Sequence, residues 1–356
     1  MSVNLTATVG ANAATNVTSF NCSFGRQSKT DTYSSTSATL TIRYAGLPGS
    51  WTLGSNVIVK IDGYQVCSGY ITNIEYNYDF VTAGDTYTVS LEGYLSYFGR
   101  SVLTNFTFTQ QTTGDAANTI AGAISGTAKS ITQIQTRSYT DTSTYSGASQ
   151  NLITALVATE QGRLDDQGDV LKFLGRDFTY ADFNDSPPII QTYYFADDGT
   201  ANYYKYDNIT FSSLSNNYFT YVQVQPALFA TQTAGSGNRA LSINTYDVSA
   251  TQADNLADYC LAEFDQSLSA PIQISTRSSL GLPTGFLALF ENYRVGARTQ
   301  IKFRGTEYYG VVEGYSVTAN PSEVRYTFYM SGFEQNNFFR LNDPVYGTLD
   351  YNNLNF

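Results

Sequence analysis

Enzymes that work near neutral pH most often recruit histidine as general base, triad member or transition-metal ligand, and this chain of 356 residues contains none. The usual serine-hydrolase triad and most zinc chemistry are thereby excluded. The three cysteines, Cys22, Cys67 and Cys260, lie too far apart for a CxxC pair, and their odd number leaves at least one unpaired within the chain. They read as reduced, buried thiols. Carboxylates and phenols remain, and a carboxylate pair at the right separation can run glycoside hydrolysis, but a sequence does not display that separation. The acidic runs Asp165-Asp166-Gln167-Gly168 with Asp169, and Asp197-Asp198-Gly199, lack the EF-hand spacing and its closing Glu. Both read as solvated turns. No nucleophile elbow, P-loop, dinucleotide fingerprint or zinc spacing is present. The expectation is a protein that is not an enzyme, with no catalytic, metal or cofactor-binding residue and no cofactor.

The elements that would carry any function are β-rich. Aromatic residues make up 15% of the chain and charged residues 14%, and Thr, Ser and Asn are abundant, the palette of pleated, half-buried strands. Tyr, Asn and Asp also suit a glycan-binding surface, yet many of the aromatics alternate within strand-like segments, where core packing is the default explanation. The net charge of −11 disfavours a general affinity for nucleic acid phosphates. No apolar run approaches the ~20 residues of a membrane-spanning helix, so no membrane anchor is expected. Met1 to Asn16 has neither the basic segment nor the apolar core of a secretory signal, and the chain is expected to be made and assembled in the cytoplasm.

One β unit occurs twice, roughly 240 residues apart. GSNVIVKIDG aligns with GARTQIKFRG, so that Gly54 falls on Gly296, Val59 on Ile301 and Gly63 on Gly305. CSGYITNIEY then aligns with YYGVVEGYSV, placing Gly69 on Gly310, Ile71 on Val312, Ile74 on Tyr315 and Tyr76 on Val317. TYTVSLEGY, Thr86 to Tyr94, lies over RYTFYMSGF, Arg325 to Phe333, without a gap. Each copy reads as a three-strand meander with a tight hairpin at Asp62-Gly63 or Arg304-Gly305. The sets Tyr87, Val89, Leu91 and Tyr326, Phe328, Met330 face inward. Adding an upstream strand to each, Ala38 to Tyr44 for the first and Tyr218 to Gln225 for the second, would let each copy close and remove its exposed edges.

Between the copies, Asp115 to Ala128 has helical spacing opened by an acidic cap. Ser149 to Gly162 follows as a second helix, with Ser149 as its cap, the stripe Leu152, Ile153, Leu156, Val157 on one face and Gly162 as its stop, ahead of a hairpin around Asp165 to Gly168. A third helix, Thr251 to Phe264, opens with a capping box from Ser249 and Gln252 and buries Ala253, Leu256, Ala257, Cys260 and Phe264. The fold class expected is mainly β with an α+β middle region: two duplicated tube-type β-barrel domains plus a small α/β domain. The expected division is a first barrel over 1–105, a middle helix-plus-hairpin domain over 106–200, a second barrel over 201–335 with an inserted helix over 251–264, and a docking tail over 336–356.

The order of these segments resembles the tail hub proteins of long-tailed bacteriophages, often labelled minor tail proteins and similar in plan to the baseplate hubs of contractile tails. The resemblance covers nearly the whole chain. It runs through SATLTIRY, GSNVIVKIDG, CSGYITNIEY and YTVSLEGYLSYFG, then NLITALVATEQGRLDDQGDVLKFLGRD and ADNLADYCLAEF, to the ending FRLNDPVYGTLD. That ending is similar to the family's Leu-Asp-x-Pro-Val-Phe-Gly-x-Leu-Asp close. Nothing resembles the lysozyme or peptidase insert that some hubs carry.

The resemblance implies a structural virion protein at the tail tip, with two tube-like barrels per chain and three chains in a ring of six barrels. Such a homotrimer would adapt a sixfold tail tube to a threefold tip and form part of the DNA ejection channel. Its implied partners are the distal tail or tail tube protein, the tape-measure protein and a tail spike or fibre, with DNA passing through without specific binding. The competing readings are a hexameric distal tail protein, which needs only one tube module per chain, and a receptor- or glycan-binding tip protein.

Overall fold

Both hairpins form at the dipeptides named above in the computed structural model, which describes residues 3–43, 46–78, 84–124, 131–167, 170–176, 178, 180–182, 189–212, 218–264 and 270–332. Asp62 and Gly63 have φ of 50° and 90°, and Arg304 and Gly305 have 50° and 82°. Paired positive φ is the turn geometry whose twist matches that of the flanking strands. The first meander is Asn56–Ile61, Tyr64–Asn77 and Thr86–Glu92, and the second is Arg298–Phe303, Thr306–Asn320 and Glu323–Gly332. In each, the pairing of second and third strands shifts at a matched place, between Ile71 and Asn73 and between Val312 and Gly314. Thr72 and Glu313 are therefore the extra residues of equivalent β-bulges. The proposed docking tail over 336–356, together with Gly168 and Asp169, lies outside the described residues.

Among the described residues neither meander closes into a barrel, which corrects the expectation of two barrel domains. Their six strands belong to one open sheet of 13. Its path runs Asn208–Ser212, Ala270–Arg277, Glu323–Gly332, Thr306–Asn320, Val17–Gly25, Ser34–Arg43, Thr86–Glu92, Tyr64–Asn77, Asn56–Ile61, Leu5–Val9, Asn12–Ala14. Arg298–Phe303 branches from Thr306–Asn320 and carries the parallel strand Thr192–Ala196. The physical reason for the open form lies in Thr306–Asn320. One edge of this strand pairs with Glu323–Gly332. The other pairs first with Arg298–Phe303 and then, from Gly314 to Ala319, with Val17–Gly25 of the first half. The edge that closure would have satisfied is taken by the other half of the chain.

The upstream strands also divide differently from expectation. Ser34–Arg43 pairs with Thr86–Glu92 as anticipated, but in the second half the corresponding place beside Glu323–Gly332 belongs to Ala270–Arg277. Tyr221–Pro226 instead forms a separate three-stranded sheet with Gln232–Gly235 and Ala240–Thr245. It does so because Val222 and Val224 bury against Ala253, Leu256, Ala257 and Cys260 of a covering helix, making a second core.

Five helices are described: α1 Leu95–Arg100, α2 Thr113–Ala123, α3 Ser149–Glu160, α4 Ala250–Phe264 and α5 Thr284–Asn292. Thr112, not Asp115, caps α2, its hydroxyl accepting from the Asp115 amide at 3.2 Å. Ser149 does not cap α3; its hydroxyl donates to the Phe98 carbonyl of α1 at 2.8 Å. Gln161 at φ 52°, one residue before Gly162, ends α3. Ser249 does cap α4, accepting from the Gln252 amide at 3.1 Å, while the Gln252 side chain donates to Asp247 Oδ1 and the Tyr139 carbonyl. The sequence reading gave no sign of α5, which packs Phe286 and Phe290 onto Tyr315, Tyr326 and Phe328.

At the joint between the halves Gly25 lies opposite Gly314. A Cβ on Gly25 would stand 2.5 Å from both the Glu313 carbonyl oxygen and the Gly314 Cα, and the residue has φ +98°. Two backbones pass here with room for no side chain. Gly25→Ala is expected to destabilise the fold by more than ~1 kcal/mol through overpacking and positive-φ strain, read as a lower midpoint in guanidinium unfolding. An unchanged midpoint would contradict this packing.

Candidate functional site: the buried ion cluster and the sheet edges

Beside the glycine pair, the bulge turns Glu313 into the interior, where it is fully buried. Its Oε2 accepts from Arg26 Nε at 2.9 Å and the Tyr33 hydroxyl at 3.2 Å, and Arg26 Nη2 stands 2.8 Å away. Its Oε1 accepts from Arg163 Nε and Nη2, both at 3.1 Å, and from the Ser331 hydroxyl at 2.6 Å. Arg26 follows the first-half strand Val17–Gly25, Arg163 begins the strand Arg163–Asp166 after α3, and Glu313 and Ser331 belong to the second half. One carboxylate thus ties three parts of the chain together. Burial pushes the Glu313 carboxyl up, but Arg163, Arg26 and the Ser331 hydroxyl outweigh it and hold the group well below the usual carboxylate range. With six donors on two oxygens the cluster has no acceptor capacity left for a ligand. Its chemistry is to hold.

A second carboxylate makes a neighbouring tie. Asp166 is fully buried, accepting from the Tyr94 amide at 3.0 Å, the Leu95 amide at 3.1 Å and the Thr36 amide at 3.3 Å. A Cβ at Gly93 would meet Asp166 Oδ2 at 2.2 Å, so the glycine after the first meander is the space the carboxylate needs. Asp165 is buried too, and burial raises its carboxyl despite Lys172, Arg294 and a 2.8 Å hydrogen bond from Gln167. The expected solvated turn at Asp165 and Asp166 is therefore corrected. Both belong to a buried strand, because Arg163–Asp166 pairs with Leu171–Leu174 beneath the joint. Asp197 and Asp198 do form a surface turn. Asp197 accepts from the Arg304 amide at 3.1 Å, and Asp198 pairs with Lys302 at 2.6 Å.

A third tie comes from Arg294, a buried cation that donates to the Phe290 carbonyl, the Tyr315 hydroxyl and, across the halves, the Gln65 carbonyl at 2.9 Å. Glu291 of α5 accepts from the Gln65 amide at 2.9 Å. Cys22 and Cys67, 45 residues apart in sequence, meet in the core with Cys22 Sγ donating to Cys67 Sγ at 3.2 Å. That hydrogen bond and burial raise the Cys22 thiol well above its usual value, and burial pushes Cys260 up to about 12. Sequence reasoning found none of these ties. The signals available were a lone acid inside the apolar strand Val311-Val312-Glu313-Gly314-Tyr315 and a glycine at 93 matched by one at 332. Among the described residues, no group of three or more His, Cys, Asp or Glu could hold a metal ion.

No family model and no curated protein sequence matches the chain. Solved structures match its fold. A tail protein from Neisseria meningitidis superposes with a TM-score of 0.64 at 11% identity, over 93% of this chain and 97% of that one. The 43 kDa tail protein of prophage MuSo2 from Shewanella oneidensis gives 0.64 at 10% identity, over 92% and 98%. A component of the E. coli type VI secretion system, described as structurally similar to the T4 bacteriophage tail proteins gp27 and gp5, gives 0.50 at 12% identity, over 94% and 78%. The chain shares the fold of these phage tail proteins and of the type VI secretion component over nearly its whole length.

Glu313→Gln strands two buried guanidiniums and is expected to cost ~3–5 kcal/mol, measured by denaturant unfolding at pH 7. Because the folded carboxyl lies below its unfolded value of about 4.3, its contribution is complete above that pH and is lost as pH falls further. The variant should therefore show a shallower loss of stability below about pH 4.3 than the parent. Equal slopes would contradict the cluster's role. The three thiols should resist an alkylating reagent at pH 8 until the protein is unfolded, with mass spectrometry counting the adducts. Fast labelling of the folded protein would contradict their burial.

Proposed function

We propose that this chain is a structural virion protein of a phage tail: a trimeric hub at the distal end of the tail, joining a sixfold tube to a threefold tip. The observation that carries the reading is the duplicated meander, with its matched bulges and hairpins, inside one continuous sheet. Three copies of a chain that holds one module twice meet a sixfold ring with six like surfaces, while the chain's other parts repeat only three times. The shared fold with tail proteins supports the same reading.

In this role the partners are the distal tail or tube protein above, the tape-measure protein within, and a spike or fibre below. DNA passes through the ring without specific binding. A net charge of −11 suits such a passage, since an acidic wall repels phosphate and does not retain it. The ties at Glu313, Asp166 and Arg294 give each subunit the rigidity a channel wall needs.

The test is the solution mass of the purified chain by light scattering after gel filtration, over a range of concentrations. A stable mass near three times 39.0 kDa is the expected result. A hexamer would replace the hub reading with that of a distal tail ring.

A further inference from the structure

The joint inside the chain is a template for a joint between chains. In the second half, the edge of Thr306–Asn320 beyond its hairpin partner is filled by Val17–Gly25. The equivalent strand of the first half, Tyr64–Asn77, pairs with Asn56–Ile61 only as far as Tyr70 and with Thr86–Glu92 along the rest. Among the described residues, no strand lies along the edge of residues 73–77 away from Thr86–Glu92. Tyr315, Val317 and Ala319, which lie along the internal joint, are at most 1% exposed. Their first-half equivalents Ile74, Tyr76 and Tyr78 are also apolar or aromatic, yet Ile74 is only half-buried and Tyr76 and Tyr78 are 50% and 63% exposed. Such side chains at alternate positions, two on the strand and the third just past its end, mark a surface meant to be covered.

The matching strand is at the other end of the same sheet. Leu40 opposes Val89, and Ile274 opposes Phe328, at equivalent places in the two meanders. Phe20 opposes Leu40 and Ile209 opposes Ile274, which makes Asn208–Ser212 the second-half counterpart of Val17–Gly25. Among the described residues Asn208–Ser212 pairs only with Ala270–Arg277, so its outer edge ends the sheet. An open edge of this kind is a template for strand addition.

We infer that Asn208–Ser212 of one chain adds antiparallel to residues 73–77 of a second copy, repeating the internal register. The internal pairs Thr318–Asn21 and Ala319–Phe20 then become Asn77–Thr210 and Tyr78–Ile209. The first keeps an Asn facing a Thr with the two types exchanged, and the second covers an exposed aromatic with an aliphatic side chain. The contact is heterologous, each chain offering a different edge to the next, and so generates a ring when the rotation closes. That the ring closes at three rests on the hub reading. Thr72 stands where Glu313 stands in the internal joint, so the joint between chains lacks the buried ion cluster. It is the separable one of the two.

The experiment uses the full chain with paired cysteines, Asn77→Cys with Thr210→Cys and Tyr78→Cys with Ile209→Cys, exposed to a mild oxidant and run on a non-reducing gel. Neighbouring register pairs alternate between hydrogen-bonded and closer non-hydrogen-bonded types, so one of the two has the shorter Cβ separation that a disulfide favours. Glu75→Cys with Thr210→Cys is the out-of-register control. Covalent multimers from at least one matched pair, ending at three chains, and none from the control or the single variants are expected. Light scattering on the same unoxidised samples separates the failures. A trimer in which neither matched pair links overturns this joint and leaves the threefold hub. A ladder of links running past three chains keeps the joint and overturns the ring. A monomer that never links overturns both.

Discussion

An unpaired sheet edge is the constraint around which this molecule is arranged. A strand in the middle of a protein must satisfy its peptide groups on both sides, and Thr306–Asn320 is long enough to need three partners to do so. Closing each module on itself would have met the need locally. The chain instead passes the edge to its other half, and the crossing point falls at a bulge that turns one carboxylate inward. Everything near that point follows from the choice. Two glycines face each other because the backbones are close, two arginines converge because a buried carboxylate without cations is costly, and Asp166 and Arg294 fasten the flanking segments to the same region.

Much of this was legible in the sequence where the rule is local. Paired turn residues suited to positive φ mark both hairpins, alternation marks which face is buried, and the repeat aligns Thr72 with Glu313 through Ile71 and Val312. Helix capping was legible at Ser249 but not at Ser149, whose hydroxyl has a carbonyl of α1 within reach. What could not be read was where edges go. A strand that ends its own meander looks the same whether it closes a barrel or pairs with a segment some 290 residues distant, since loop-closure entropy changes slowly at that length. The acidic run at Asp165 and Asp166 failed for a related reason. Composition assigns such residues to solvent, and only donors that the fold brings to them make their burial possible, the Thr36, Tyr94 and Leu95 amides for Asp166 and the Gln167 side chain for Asp165.

The two halves also differ in a way that suits assembly. The second is locked by aromatic packing of α5 and by the ion cluster, whereas the first leaves Tyr76 and Tyr78 half or more exposed along a strand edge. Here one joint is fixed within the subunit and a similar surface is left for a neighbour, so rigidity inside and association outside come from one repeated motif.

The most direct measurement is electron microscopy of purified particles viewed down the ring axis, with the symmetry determined without imposing it. The account predicts a ring of three chains with an open centre, whose wall shows six similar β modules while its remaining density repeats three times. A ring of six chains, or an open filament, would contradict it.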